Sequence, residues 1–139
     1  MYHKITFSTT VGDSLFDITA QVREMVKQSK VTSGICHLVV GHTTAAITIN
    51  SSADPATGKD IVTEIRRLVP TRTDFTHIFD TPSDAAAHIK ACIIGNSETV
   101  FIENNDLVLG HSQGILFFEF DGPRTRTVMV KILRDRVDA

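Results

Sequence analysis

The chain has 139 residues, a formal net charge of -2, 42% hydrophobic residues and 22% charged residues, values typical of one ordinary globular domain. The near-neutral charge removes the general attraction to nucleic acid or to an anionic membrane, and no apolar run approaches the about 20 residues of a membrane helix. We therefore treat residues 1–139 as a single domain, expect a cytoplasmic location, and expect a small molecule rather than nucleic acid or membrane as the partner.

The two cysteines, Cys36 and Cys92, both lie within apolar sequence. They lack the Cys-x-x-Cys spacing of metal and redox motifs. Buried, reduced thiols are therefore expected at both positions, in keeping with a compartment where disulfides are rare.

The first fifty residues predict three strands and one helix. Residues 2–9 alternate around Ile5 and Phe7, which is typical of a half-buried strand. The apolar run at 35–40 predicts a strand covered on both faces, and a further strand is expected at 46–50. Between the strands at 2–9 and 35–40, Asp17 is placed to cap a helix over 18–30, whose apolar residues recur at helical spacing.

Asp54 and Pro55 predict the start of a second helix, because aspartate is a favourable N-cap and proline suits the first helical position. This helix is expected to run to about residue 69 and to stop at Pro70. The apolar residues expected to face the core are Ile61, Ile65, Leu68 and Val69. Residues 71–82 have no periodicity and are expected to form a loop.

Ser83 is placed to cap a third helix over 84–94, which Gly95 would end. The remaining chain predicts four strands, at 99–103, 107–109, 115–121 and 125–133. Three helices and a majority of strands, without regular alternation of the two, indicate a single domain of the α+β class.

Three histidines are placed where a site is expected: His42 at a strand end, His77 on the loop and His88 on the third helix. Neutral imidazole is the commonest metal ligand and is also suited to proton transfer near neutral pH. If the three meet, they could hold a divalent ion with an open position, or act as general acid and base. Their spacing is unlike a local metal motif, and each also fits a structural or surface role.

Other polar residues suggest anion binding. Asn96 and Ser97 follow Gly95 and could offer donors to an anion or merely end the helix. Gln113 and His111 lie in a glycine-flanked segment that also fits a plain hairpin turn. Arg124 and Arg126 share one face of a strand, and Lys90 is close in sequence to His88. These cations could grip a phosphate, or Arg124 and Arg126 could pair with Glu119 or Asp121.

The chain resembles the YjbQ-like family through motifs that recur in the family's order over nearly the whole sequence. They are Gly-Ile-Cys-His at 34–37, His-Thr-Thr-Ala at 42–45, Ile-Asn at 49–50, Ala-Asp-Pro at 53–55, Ala-His-Ile-Lys-Ala at 87–91, Gly-His-Ser-Gln-Gly at 110–114 and Gly-Pro-Arg at 122–124. The resemblance implies an α+β fold on a β-sandwich core, a homotrimer, and a polar cleft near the subunit interface. It also implies that His42, His77 and His88 belong to one site.

The activity that the resemblance implies is that of a thiamine-phosphate synthase-like transferase, which joins a hydroxymethylpyrimidine diphosphate to a thiazole phosphate. Lys90, Arg124 and Arg126 would stabilise the departing diphosphate. The histidines would position a divalent metal, zinc or magnesium, or move protons, and no organic cofactor is expected. Asp54 is a further candidate catalytic residue.

Two alternatives stay open. One is a metal-dependent hydrolase, in which Asp54 or Asp84 activates a metal-bound water. The other is a trimeric protein that binds a metal or a phosphorylated metabolite without catalysis. Where the family commonly has Gly-Thr-Trp-Gln-Gly and Asn-Glu, this chain has Gly-His-Ser-Gln-Gly at 110–114 and Asn50-Ser51. The loss of an aromatic platform and a carboxylate predicts a change in substrate choice, and His111 could add a fourth imidazole.

Overall fold

A computed structural model describes residues 1–136 of the chain, which form two antiparallel sheets and three helices. In chain order the elements are β1 (His3–Ser8), β2 (Gly12–Asp17), α1 (Thr19–Ser29), β3 (Ser33–Val40), β4 (Ala45–Ser51), α2 (Pro55–Leu68), α3 (Pro82–Ile94), β5 (Ser97–Glu103), β6 (Asp106–Leu107), β7 (Gln113–Gly122) and β8 (Thr125–Arg134). One sheet has the strand order β1-β8-β3-β5-β6 and the other β2-β7-β4. The predicted α+β fold with a β-sandwich core and about three helices is confirmed.

The main core lies between the two sheets. Leu38 and Val128 project inward from the five-stranded sheet, Ile47 and Phe117 from the three-stranded sheet, and all four are completely or almost completely buried. The alternation of exposed and buried residues along β3 and β8 follows from this arrangement, because successive strand residues point to opposite faces. The outer face of β3 is only half-buried, so the prediction of a strand covered on both faces is wrong.

β7 is buried on both faces, which explains its continuous apolar sequence. Phe117 packs into the main core, whereas Phe118 and Phe120 form a second cluster with Ala46 and Ala87 on the other face. Helix α3 covers that second face with the small residues Ala85, Ala86 and Ala87, all buried. Small side chains let the helix lie close to the sheet, and this position sets where the polar residues of α3 project.

Several local predictions need correction. Residues 12–17 form strand β2, which weak alternation concealed. Helix α1 begins at Thr19, one residue later than predicted, although the Asp17 carboxylate does accept a hydrogen bond from the Thr19 amide. The cap of α3 is Thr81, whose hydroxyl accepts from the Asp84 amide, rather than Ser83. Cys36 is buried as predicted, but Cys92 is exposed because its position on α3 faces away from the sheet.

Helix α2 begins at Pro55 behind the Asp54 cap, as predicted, but it packs loosely. Within the described chain it has no fully buried residue. Leu68 is 74% exposed, so its predicted core role is wrong, because only one edge of α2 lies against β2. Among residues 1–136, none of the helices is both long enough and apolar enough to cross a membrane.

Candidate functional site

His77 and His88 meet at the carboxylate of Asp84. The Nε2 atom of His77 lies 3.0 Å from Asp84 Oδ2, and the Nε2 atom of His88 lies 3.1 Å from the same oxygen. The two imidazole rings stand edge to face, with centroids 5.3 Å apart. One ligand atom from each residue lies within 4.8 Å of the other two. We call His77, Asp84 and His88 the His-Asp-His cluster.

The cluster follows from the local structure of α3 and the loop before it. Asp84 and His88 are four residues apart on the helix and therefore lie on one face, one turn above the other. The Thr81 hydroxyl fixes the first turn by accepting a hydrogen bond from the Asp84 amide. His77 comes from the loop between α2 and α3, and its side chain is 44% exposed, against 8% for Asp84. The carboxylate is thus buried and the two imidazoles face solvent.

Several effects compete at the Asp84 carboxyl. Burial disfavours the charged form, but the hydrogen bond with His77, the charge of His88 and the side-chain interactions with Asp121 and His88 outweigh it and lower the pKa of Asp84. The charge of Asp84 also helps to raise the pKa of Arg124, after the larger effects of the hydrogen bond and charge of Asp121, the partner of Arg124. The Asp84 side chain is therefore an ionised carboxylate at neutral pH.

His42 faces a different part of the same region. His42 and His88 both line a cleft of about 510 Å³, together with Asn96 and Cys92. The Nε2 atom of His42 accepts a hydrogen bond from the Thr127 amide at 2.9 Å, which requires this nitrogen to be unprotonated. Burial and the positive charge of Arg126 lower the pKa of His42. His42 is accordingly a neutral imidazole beside the cleft, with Nδ1 as its remaining polar atom.

The structure therefore brings together two of the three predicted histidines, with a carboxylate as the third member. His42 borders the cleft but does not supply one of the three clustered ligand atoms. From the sequence, Asp84 is expected only as an alternative base that activates a metal-bound water. Its four-residue spacing from His88 was the signal that could have identified it as a ligand, whereas nothing in the sequence placed His77 beside them.

Two of the predicted anion-binding cations are used inside the fold. Arg126 is buried and bonds to Glu119, with its Nη2 also donating to the Thr44 hydroxyl at 2.8 Å. Lys90 is buried as well, and its ammonium lies 2.6 Å from a carboxylate oxygen of Asp13. Arg124 is half-exposed at the surface and pairs with Asp121 at 2.8 Å. Of the three, Arg124 alone lies near the His-Asp-His cluster with an exposed guanidinium.

The remaining predicted site residues are dispersed. Asn96 lines the cleft, and Ser97 is an exposed residue at the start of β5. The Gln113 side chain accepts a hydrogen bond from the Gly110 amide at 2.7 Å, which closes the exposed turn that carries His111. Asp54 is exposed and accepts from the Ala56 amide at 2.9 Å as the cap of α2. The side chains of Asp54 and Gln113 thus accept hydrogen bonds from backbone amides two or three residues away.

Comparison with known proteins places this architecture in one family. The family described as UPF0047 protein YjbQ-like matches residues 3–135. UPF0047 protein MJ1081 of Methanocaldococcus jannaschii is 41% identical over 136 residues, covering 98% of this chain and 96% of the relative. UPF0047 protein YugU of Bacillus subtilis is 38% identical over 133 residues, covering 96% of this chain and 99% of the relative.

Solved structures agree with the sequence relatives. A YbjQ-like protein of unknown function from Sulfolobus solfataricus superimposes with a TM-score of 0.90 at 33% identity, covering 97% of each chain. An uncharacterised conserved YjbQ/UPF0047 protein from Clostridium acetobutylicum superimposes with a TM-score of 0.88 at 41% identity, covering 94% of this chain and 99% of that one.

These names correct one functional prediction. The relatives are uncharacterised UPF0047 proteins, and the names of those compared include no thiamine-phosphate synthase. The predicted thiamine-phosphate synthase-like activity is therefore wrong. The structure is consistent with that correction, since Lys90 and Arg126, two of the three cations assigned to the departing diphosphate, are already held in buried ion pairs.

Proposed function

This chain belongs to the YjbQ-like family, UPF0047, and we propose that it is a metal-binding protein in which the His-Asp-His cluster holds a divalent transition metal ion. The observation that carries the proposal is the convergence of two imidazole nitrogens on one buried carboxylate oxygen, at 3.0 and 3.1 Å. The sequence-based set of His42, His77 and His88 is thereby replaced by His77, Asp84 and His88.

The two nitrogen–oxygen distances in the cluster suit binding of one ion. Metal–ligand bonds of about 2.1 Å at tetrahedral or octahedral angles separate neighbouring donor atoms by about 3.0–3.4 Å. Both nitrogen–oxygen distances in the cluster, 3.0 and 3.1 Å, agree with this range. Small movements of the exposed His77 and His88 rings would open room for the ion without displacing Asp84.

The chemistry of the donor set favours zinc or a similar transition metal over magnesium. Imidazole nitrogen suits zinc, iron, copper and nickel, whereas magnesium prefers oxygen ligands and retains its waters. Metal binding also requires a deprotonated carboxylate, which an aspartate side chain supplies at neutral pH. Three protein ligands leave at least one coordination position for water or for an external ligand.

The metal content of the purified protein tests this proposal. We expect about one transition metal ion per chain in the native protein and in a His111→Ala control, because His111 lies on an exposed turn away from the cluster. His88→Ala and the isosteric Asp84→Asn should lose the ion, since each removes one of three ligands. Elemental analysis and competition with a chromophoric zinc chelator provide the two measurements.

Two results would contradict the proposal. One is native protein that neither contains metal nor competes with the chelator for added zinc. The other is equal zinc affinity in the native protein and in folded His88→Ala. Circular dichroism spectra of every variant confirm that loss of metal is not loss of the fold.

The predictions about partners and location stay predictions. A homotrimer would have a native mass three times the chain mass of 15.3 kDa. Light scattering after gel filtration measures this native mass. A phosphorylated small-molecule partner and a cytoplasmic location are likewise predictions. The near-neutral net charge of -2 supports a small molecule over nucleic acid as partner.

A further inference from the structure

A second cleft borders a different face of α3 from the one that carries Asp84 and His88 of the His-Asp-His cluster. Its volume is about 770 Å³, within the range of about 300–1,000 Å³ usual for small-molecule sites. The end of α2, the start of β2 and one face of α3 form its walls. Three cationic side chains line it, namely Arg66, Arg67 and Lys90, against a single carboxylate, that of Asp13.

The pairing of these charges leaves the cleft positive. Lys90 and Asp13 neutralise each other at 2.6 Å, with only 3% and 8% of their side chains exposed. Arg67 lies 3.1 Å from Glu64, but both side chains are exposed, and such surface pairs are weak. Arg66 forms no ion pair with any carboxylate among residues 1–136. Two guanidinium groups are therefore available to a ligand.

Hydroxyl groups complete the lining. Thr63, Thr71 and Ser83 each contribute to the wall of the cleft, and each hydroxyl can donate one hydrogen bond. Ser83 lies in the first turn of α3, where backbone dipoles favour negative charge.

The basic cleft and the His-Asp-His cluster use different faces of α3. Ser83 and Lys90 are seven residues apart and therefore share one face of α3, whereas Asp84 and His88 share another. The basic cleft contains none of the three residues of the His-Asp-His cluster. Substitutions in the basic cleft can accordingly test phosphate binding without removing a metal-coordinating atom of the His-Asp-His cluster.

We propose that this basic cleft, in which Arg66, Arg67 and the three hydroxyls are the available donors, binds a phosphate dianion, either free or as the ester group of a small metabolite. Guanidinium groups bind phosphate oxygens bidentately, and hydroxyl donors satisfy the oxygens that the arginines do not reach. A dianion matches the two guanidinium charges of Arg66 and Arg67, since the exposed pair between Arg67 and Glu64 is weak. The volume exceeds what one phosphate group occupies, which leaves space for an esterified portion.

Isothermal titration with inorganic phosphate at constant ionic strength, in the presence of EDTA, tests the proposal on the full chain. Arg66→Gln should weaken binding about 10-fold, the usual effect of losing a hydrogen bond to a charged group. Arg134→Gln makes the same change of charge on an exposed residue of β8 outside the cleft, and should change the affinity less than twofold. Neither variant removes a buried ion pair, so both should fold.

A parallel titration with sn-glycerol 3-phosphate distinguishes the two sources of phosphate. If sn-glycerol 3-phosphate binds more tightly than inorganic phosphate, the ligand is an esterified phosphate. If the two affinities are equal, the ligand is free phosphate. The proposal is overturned if the native protein shows no saturable binding of either compound, or if Arg66→Gln and Arg134→Gln weaken binding equally. EDTA keeps the result independent of metal at the His-Asp-His cluster, so failure here leaves the metal proposal unaffected.

Discussion

His42 and His88 border the same cleft, yet their imidazoles have different partners. His42 accepts a hydrogen bond from the Thr127 amide, whereas His88 lies against the Asp84 carboxylate. A backbone N–H stabilises a neutral ring, and a carboxylate stabilises a charged ring or one that binds a metal. The same residue type therefore has two chemical roles a short distance apart, and the neighbouring groups rather than the residue type determine which.

The pH dependence of stability should reveal the neutral state of His42. Its pKa is lowered from 6.5 by burial and by the charge of Arg126, so the unfolded chain binds a proton more readily than the folded one. The stability that the neutral ring contributes is present above pH 6.5 and is lost as pH falls through the folded pKa. We expect native protein to lose more unfolding free energy than His42→Asn between pH 7.5 and pH 5.

Urea unfolding in the presence of EDTA at the two pH values provides the measurement. Asn does not titrate, so the cost of losing the hydrogen bond from the Thr127 amide is the same at both pH values and cancels in the comparison. His111→Asn serves as control and should follow the native protein. A free-energy difference between native and His42→Asn that does not change with pH would contradict the prediction.

The glycine in strand β3, Gly34, has no room for a side chain, whereas the glycine in helix α2, Gly58, has room for one. At Gly34 in β3, a Cβ atom would lie 1.9 Å from the Leu133 carbonyl oxygen of the adjacent strand β8. At Gly58 inside α2, the nearest atom to a Cβ would be a side-chain carbon of Leu15 at 3.8 Å, an ordinary contact. The central sheet depends on close backbone approach, while the loosely packed helix has room.

Alanine substitution at the two positions should change stability in opposite directions. Gly34→Ala should lower the free energy of unfolding by about 2 kcal/mol or more, because β3 and β8 must separate to admit the methyl group. Gly58→Ala should raise it by about 0.5–1 kcal/mol, since alanine loses less backbone entropy in a helix. Chemical denaturation of both variants measures the difference, and equal effects at the two positions would refute this explanation.

The two sheets are joined at one end of the sandwich by a buried ion pair. Glu119 on β7 is completely buried and meets Arg126 on β8, whose Nε donates to the carboxylate at 2.8 Å. Burial opposes ionisation of Glu119, but hydrogen bonds from Arg126, Thr9 and the Asp121 amide outweigh it and lower the Glu119 pKa. Arg126 thus connects the sheets, a role that excludes it from gripping a ligand in this conformation.

Glu119→Gln should destabilise the whole molecule, because it leaves the Arg126 charge buried without a counter-ion. The expected loss in unfolding free energy is about 3 kcal/mol, the usual result of removing one partner of a buried pair. Glu64→Gln, which breaks the exposed pair with Arg67, should cost less than about 1 kcal/mol. Equilibrium urea unfolding compares the two, and a loss at Glu119 no greater than at Glu64 would disprove the role of the pair.

The sequence alone determined the parts of this protein that depend on neighbouring residues. The Asp54-Pro55 start of α2, the Gly95 end of α3 and most strands followed from capping preference and periodicity, since both act within a few residues. Strand β2 was missed because its residues are all partly exposed and their pattern is weak. The family motifs fixed the fold class and the sandwich core.

Only the tertiary structure decided which distant groups meet. The loop residue His77 reaches Asp84, while Lys90 pairs with Asp13 and Arg126 with Glu119. The energies of such contacts depend on burial and on a few tenths of an ångström, which chain spacing does not specify. For that physical reason the sequence predicted two of the three residues that meet in the His-Asp-His cluster, yet predicted a ligand-binding role for two cations that are buried in ion pairs.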